Sequence, residues 1–220
     1  MNSLDSARAT TSAAAPAVFV IDDDASIRKS LARLLGEEGW HVETFESPTQ
    51  FLERKPYEGN GCVVLDVRMP AMTGPDVHNA MVARGETLPV VFLTAHGDLP
   101  TAVRSMKHGA VDFLAKPADE EVLVGTLREA LARHAQALAE RRHRDGIETK
   151  VAKLTRRQRE VLSLVIAGRL NKQIADAMGI SIKTVKVHRA RVMERLEVSS
   201  IAALVHACET IGLTAESPRR

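Results

Sequence analysis

Val18-Phe19-Val20-Ile21-Asp22-Asp23-Asp24 is a run of four apolar residues that leads straight into three carboxylates. A continuous apolar run rich in Val and Ile suits a strand buried on both faces, and parallel sheets are the ones buried that way. The pattern recurs. Cys62-Val63-Val64-Leu65 leads into Asp66, and Val90-Val91-Phe92-Leu93 leads into Thr94. Val111-Asp112-Phe113-Leu114-Ala115 leads into Lys116-Pro117, and His41-Val42-Glu43-Thr44-Phe45 alternates as an edge strand does. Helical patterns separate the runs. Ile27, Leu31, Leu34 and Leu35 form a stripe of 3.6-residue period, and Ser47-Pro48 supplies an N-cap with proline at the first helical position. Further helices are expected to start near Pro75, Leu99 and Asp119, with Gly39 and Gly109 at helix ends. Five β-α pairs predict a doubly wound α/β domain on a five-stranded parallel sheet over residues 17–131.

The remainder divides readily. Residues 1–16, rich in Ala, Ser and Thr, read as a disordered tail. Residues 132–149 are Ala-rich and then charged (Glu140-Arg141-Arg142-His143-Arg144), and read as a helical linker that stops near Gly146. Residues 150–215 carry only helical periodicity, as a small all-α domain would. Charge divides in the same way. Residues 1–131 hold 12 basic and 19 acidic side chains, net −7, and residues 132–220 hold 18 and 9, net +9, which together give the chain's +2. An acidic front half suits cation or phosphate chemistry, and a basic back half suits a polyanion. Aromatics at 3% argue against a stacking platform for single strands. No apolar run is long enough for a membrane span, and no signal peptide precedes Pro16, so a cytoplasmic protein without a membrane partner is expected. Cys62 and Cys208 sit in apolar contexts without metal-site spacing and read as buried reduced thiols.

Ligands of open α/β sheets bind at the carboxyl ends of the strands. Those ends carry Asp22, Asp23, Asp66, Thr94 and Lys116. Clustered carboxylates need a cation, and an all-oxygen set suits Mg²⁺. A carboxylate beside such an ion can accept a phosphoryl group. A phosphatase reading stays open on the residues alone, because Asp22-x-Asp24 fits the Asp-x-Asp of haloacid-dehalogenase-type enzymes. That reading leaves Asp66 and the basic helical half without a role.

Val20-Ile21-Asp22-Asp23, Leu65-Asp66-Val67-Arg68-Met69-Pro70 with Gly74, Leu93-Thr94-Ala95 and Lys116-Pro117 resemble the signature of response-regulator receivers. The resemblance implies a flavodoxin-like sheet of order 2-1-3-4-5. It also implies that Asp66 is the phosphoacceptor and that Asp22, Asp23, Asp66 and the backbone carbonyl of Arg68 are Mg²⁺ ligands. Thr94 and Lys116 then act on the phosphoryl group, and Phe113 moves with Thr94 as a switch. It further implies a sensor histidine kinase as partner and no enzyme activity beyond Mg²⁺-dependent self-phosphorylation and slow self-dephosphorylation. Asp24 is expected as a solvent-facing turn residue, His96 as a loop residue and Trp40 as a packing residue.

In the back half, Thr155 and Gln158 form a capping-box pattern, Asn171 is expected to cap a second helix at Lys172, Gly179 makes a turn and Ser181 caps a longer basic helix. Short helix, tight turn and basic helix make a helix-turn-helix. Val185, Val192 and Leu196 would face inward, leaving Lys183, Thr184, Lys186, Val187, His188 and Arg191 for DNA. Leu154-Thr155…Arg159-Glu160-Val161-Leu162, Asn171-Lys172-Gln173-Ile174-Ala175 and Ser181–His188 resemble LuxR-type helix-turn-helix domains. Gln158 stands where that family usually has Glu. Together the halves resemble the FixJ/NarL class of response regulators. That class implies double-stranded promoter DNA, RNA polymerase and a homodimer on phosphorylation, the dimer forming through residues 103–113.

Overall fold

A computed structural model describes residues 15–95 and 111–214. The chain divides into two compact units, Met1–Leu138 and Ala139–Arg220. The tail residues 1–14, His96, and the expected helix near Leu99 with Val103–Gly109 lie outside the described residues.

In the first unit, β1 (Ala17–Ile21), β2 (His41–Phe45), β3 (Gly61–Asp66), β4 (Val90–Thr94) and β5 (Asp112–Ala115) form one sheet of order β2-β1-β3-β4-β5. All four pairings are parallel. The order reverses direction at β1 and β3, so the crevice that binds ligands opens between Asp22 and Asp66. The three continuously apolar runs are buried throughout, and β2 is the partly exposed edge that its alternation predicts. β5 begins one residue later than its apolar run, although Val111 still donates to the Val90 carbonyl at 2.8 Å.

Helices cover both faces. Phe19, Phe51, Val63, Leu65, Val77, Met81 and Phe92 fill one core, beneath α2 (Pro48–Glu53) and α3 (Gly74–Ala83). Val18, Val20, Leu35, Cys62, Val91, Leu123 and Leu127 fill the other, beneath α1 (Ala25–Glu37) and the first half of α4 (Glu120–Ala152). Trp40 packs against this second core. Ser47 caps α2, and Thr73 with Asp76 makes a reciprocal capping box on α3. The expected helix end near Gly146 is wrong: α4 runs through it to Ala152. A single glycine costs a helix only about 1 kcal/mol, and Ile147 just beyond it is buried.

The second unit contains α5 (Arg156–Ile166), α6 (Asn171–Met178), α7 (Ile182–Leu196) and α8 (Ile201–Thr210), packed on Leu154, Val161, Leu162, Ile174, Val185, Val192 and Leu204. Thr155 and Gln158 form the expected capping box, and Ser181 and Ser200 cap α7 and α8. Gly179 adopts φ +63°, a left-handed turn between α6 and α7 that a residue with a Cβ takes only at a cost. Asn171 is not the cap expected of it. Leu170 holds that position, and Asn171 is the first residue inside α6. Among the described residues no helix is long and apolar enough to cross a membrane. Cys62 and Cys208 are free and buried, and burial pushes their thiols up to about 12 and about 11.

Candidate functional site: a carboxylate pocket and a basic helix

Asp22, Asp66 and Thr94 stand at the carboxyl ends of β1, β3 and β4, only 2%, 7% and 2% exposed. Lys116 follows β5 and is fixed by its own backbone, whose N–H donates to the Thr94 carbonyl at 2.6 Å. The Lys116 ammonium reaches both carboxylates, with Nζ 2.6 Å from Asp22 Oδ2 and 2.8 Å from Asp66 Oδ1. Burial opposes its charge, but the hydrogen bonds and charges of the two carboxylates outweigh that and hold the ammonium above its usual range. Burial pushes the Asp66 carboxyl up, and Lys116 and the Arg68 N–H work against the rise.

The other carboxylate oxygens are also committed. Asp22 Oδ1 accepts from the Asp24 N–H at 2.9 Å, and Asp66 Oδ2 accepts from the Arg68 N–H at 3.1 Å. Asp24 is the N-cap of α1 and accepts from the amides of Ser26 and Ile27, a more definite role than the expected turn. Arg28, one turn into α1, donates to the Asp22 carbonyl at 2.8 Å and braces the β1–α1 junction. Gly74 lies against the Asp66 loop, where a Cβ would come within 2.4 Å of the Asp66 carbonyl oxygen and 3.1 Å of the Phe92 ring. Arg28 was not legible as a brace from the sequence. Gly74 was visible only as a signature residue, without its steric reason.

Asp22, Asp23 and Asp66 can each place a carboxylate oxygen within 4.8 Å of the others'. Asp23 is exposed while the other two are buried, so the cluster opens to solvent on one side. Its donors are all oxygen, which fits a hard divalent cation. Phe113 sits beside Phe92 with ring centroids 5.9 Å apart, half-buried on the strand next to Thr94.

In the second unit, Val185, Val192 and Leu196 are buried as expected, and Lys183, Lys186, Val187 and Arg191 are exposed along α7. Thr184 is half-buried, with its hydroxyl 2.8 Å from the capping Ser181 hydroxyl. His188 is half-buried too, and its Nδ1 is buried without a hydrogen-bond partner. Arg189, next to it in sequence, instead donates to the Asn171 side-chain oxygen on α6.

Residues 18–128 match the response regulator receiver domain, and residues 152–208 match the luxR family of bacterial regulatory proteins. The chain is a response regulator of the FixJ/NarL class. It is 40% identical over 197 residues to the response regulator protein TodT of Pseudomonas putida, covering 90% of this chain and 87% of TodT. It is 39% identical over 196 residues to the transcriptional regulatory protein FixJ of Azorhizobium caulinodans, covering 89% and 93%. The structure of the response regulator StyR superposes with a TM-score of 0.83 at 45% identity, over 89% of this chain and 99% of StyR. Full-length FixJ from B. japonicum gives a TM-score of 0.54 at 37% identity, over 90% and 98%. A receiver joined to a LuxR-type DNA-binding domain makes this transcriptional response regulator a two-component protein, with a histidine kinase and DNA as its partners.

Proposed function

We propose that Asp66 accepts a phosphoryl group from a phosphohistidine of the sensor kinase. In this reading, phosphorylation promotes a homodimer that grips promoter DNA through α7 and acts on transcription with RNA polymerase, in the cytoplasm. The observation that carries the proposal is the Lys116 ammonium held between Asp22 and Asp66 in a buried pocket that opens at Asp23.

An oxygen of the Asp66 carboxylate forms the new P–O bond while the P–N bond of the donor breaks and the imidazole leaves with a proton. Asp22, Asp23, Asp66 and the Arg68 carbonyl are the groups suited to hold Mg²⁺. The ion supplies charge stabilisation for the phosphoryl oxygens. Lys116, already 2.8 Å from Asp66, pairs with the new phosphoryl oxygens, which bring roughly −1.5 to −2 charge units to the site. Thr94 closes on the same group from β4, and Phe113 turns inward behind it, carrying the change to the side of the sheet that ends in β5. The protein turns over no substrate beyond its own phosphorylation and slow dephosphorylation.

On α7, Lys183, Lys186 and Arg191 neutralise phosphates or read guanine, and the methyls of Val187 and Thr184 meet thymine. His188 has only Nε2 to offer an outside acceptor. The test is acetyl phosphate with Mg²⁺, read by intact mass. One phosphoryl group is expected on the wild type and none on Asp66→Asn. Modification that persists in that variant places the nucleophile elsewhere, and steady release of phosphate from a small ester supports the phosphatase reading.

A further inference from the structure

We propose that Asn171 and Arg189 form a brace that sets the angle of α7 for DNA binding, which makes both of them positioning residues. The inference rests on the reading of α7 as the DNA-binding helix.

The two helices are held together at two places. At the turn, Gly179 takes a left-handed conformation and Ser181 caps α7, accepting from the Thr184 N–H at 3.1 Å. Ile174 and Ala175 on α6 and Val185 on α7 share the core beside that turn. The far end of α6 lies eight residues back, about 12 Å along the helix at 1.5 Å per residue. There the Asn171 side-chain oxygen accepts from Arg189 Nη1 across the gap between the helices. The brace therefore closes the open end of the V that the turn begins.

Asn171 is available for this because it does not cap α6. Leu170 holds the cap position and offers no side-chain acceptor. Gln173 reaches back instead, taking the Leu170 N–H on Oε1 at 2.9 Å. The start of α6 is thus secured by Gln173 from within and by Arg189 from the neighbouring helix.

Arg189 is turned away from the exposed basic row. It lies four residues after buried Val185, about 40° from it around the helix at 3.6 residues per turn, whereas Lys183 and Val187 lie about 160° away. Arg189 is part-buried in keeping with this direction, and Nη1 of its guanidinium donates to Asn171. A brace of this kind acts on geometry and leaves the count of phosphate contacts unchanged.

The measurement is DNA affinity of the full-length protein across a salt series, for Asn171→Ala, Arg189→Ala and the double variant, with Lys186→Ala alongside. The brace predicts about a tenfold loss for either single variant, no further loss in the double, and in Asn171→Ala a salt slope equal to that of the wild type. Lys186→Ala should flatten the slope by about one unit. Asn171→Asp keeps an oxygen facing Arg189, and should fold and bind within about threefold of wild type even if the alanine variants melt. Wild-type affinity in Asn171→Ala with a flattened slope in Arg189→Ala overturns the proposal and makes Arg189 a phosphate contact. Losses that multiply in the double variant overturn it as well, and so does an Asn171→Asp that binds as weakly as an unbraced protein should. An unchanged Lys186→Ala instead strikes at the assignment of α7, leaving the two failures distinguishable.

Discussion

The carboxylate pocket and the basic helix are built in opposite ways. The pocket draws Asp22, Asp66, Thr94 and Lys116 from the ends of four strands, across 94 residues of sequence between the two members of its shortest ion pair. The basic row comes from one stretch of α7, residues 183–191, and its Lys183, Lys186, Val187 and Arg191 are exposed. Buried charges interact through a low dielectric and depend on one another, whereas exposed ones are screened by salt and act nearly alone. A single change in the pocket should therefore have a large effect that is hard to compensate. A single change on α7 should be graded and dependent on salt.

Lys116→Ala should show the largest effect. It leaves Asp22 and Asp66 buried together without their cation, and breaking a buried pair costs about 3–5 kcal/mol. Urea unfolding should show that loss in chelator and a partial recovery in Mg²⁺, since a divalent ion can replace the missing charge. An equal loss in both solutions would mean that the three carboxylates do not share a cation. Gly74→Ala comes next. Its Cβ would lie 2.4 Å from the Asp66 carbonyl oxygen, and relieving such a clash costs about 1–3 kcal/mol of backbone shift. Because the shift falls on the Asp66 loop, phosphorylation should slow along with the loss of stability. A Gly74→Ala variant phosphorylated at the wild-type rate would show that the loop tolerates the displacement.

A smaller effect is expected from His134 on α4. Its Nδ1 accepts from the Gly61 N–H at 3.2 Å inside the first unit. Burial holds the imidazole below its ordinary value of 6.5. A depressed histidine favours folding in its neutral form. Its contribution is complete above about pH 6.5 and is lost as pH falls below that, at up to about 1.4 kcal/mol per pH unit. Denaturant midpoints between pH 7.5 and 5 should fall less steeply in His134→Gln than in the wild type. Parallel curves would assign the acid sensitivity to other groups. The smallest single effect belongs to α7, where Arg191→Ala should weaken DNA binding evenly across sequences and flatten the log–log salt slope by about one unit. An unchanged slope would show that Arg191 faces away from the phosphates.

The same contrast explains what could be read in the sequence. The strands, the acidic ends and the helix-turn-helix were legible because each is announced by contiguous residues: Val18–Ile21 before Asp22, Cys62–Leu65 before Asp66, and the Gly179 turn before Ser181; the strand order followed only from the resemblance to receivers. Pairings across long separations were not. Nothing near His134 points to Gly61, 73 residues away. Arg54 lies over the ring of Phe19 and pairs with Glu86 at 2.7 Å, 32 residues away, and its neighbours in sequence announce neither partner. Asn171 looked like a cap because Asn favours that position, but Arg189 competes for its oxygen from another helix. The helix end expected near Gly146 rested on local propensity, which a buried Ile147 and the continuing helical register overrode.

In the proposed function, a phosphoryl group on Asp66 is converted into association of two chains. Sedimentation velocity of the full-length protein with Mg²⁺, with and without acetyl phosphate, tests it most directly, with Asp66→Asn as control. The expected result is a monomer that becomes a dimer only when the donor is present and Asp66 is intact, at concentrations where DNA binding also tightens. A phosphorylated protein that stays monomeric while binding its DNA would contradict it.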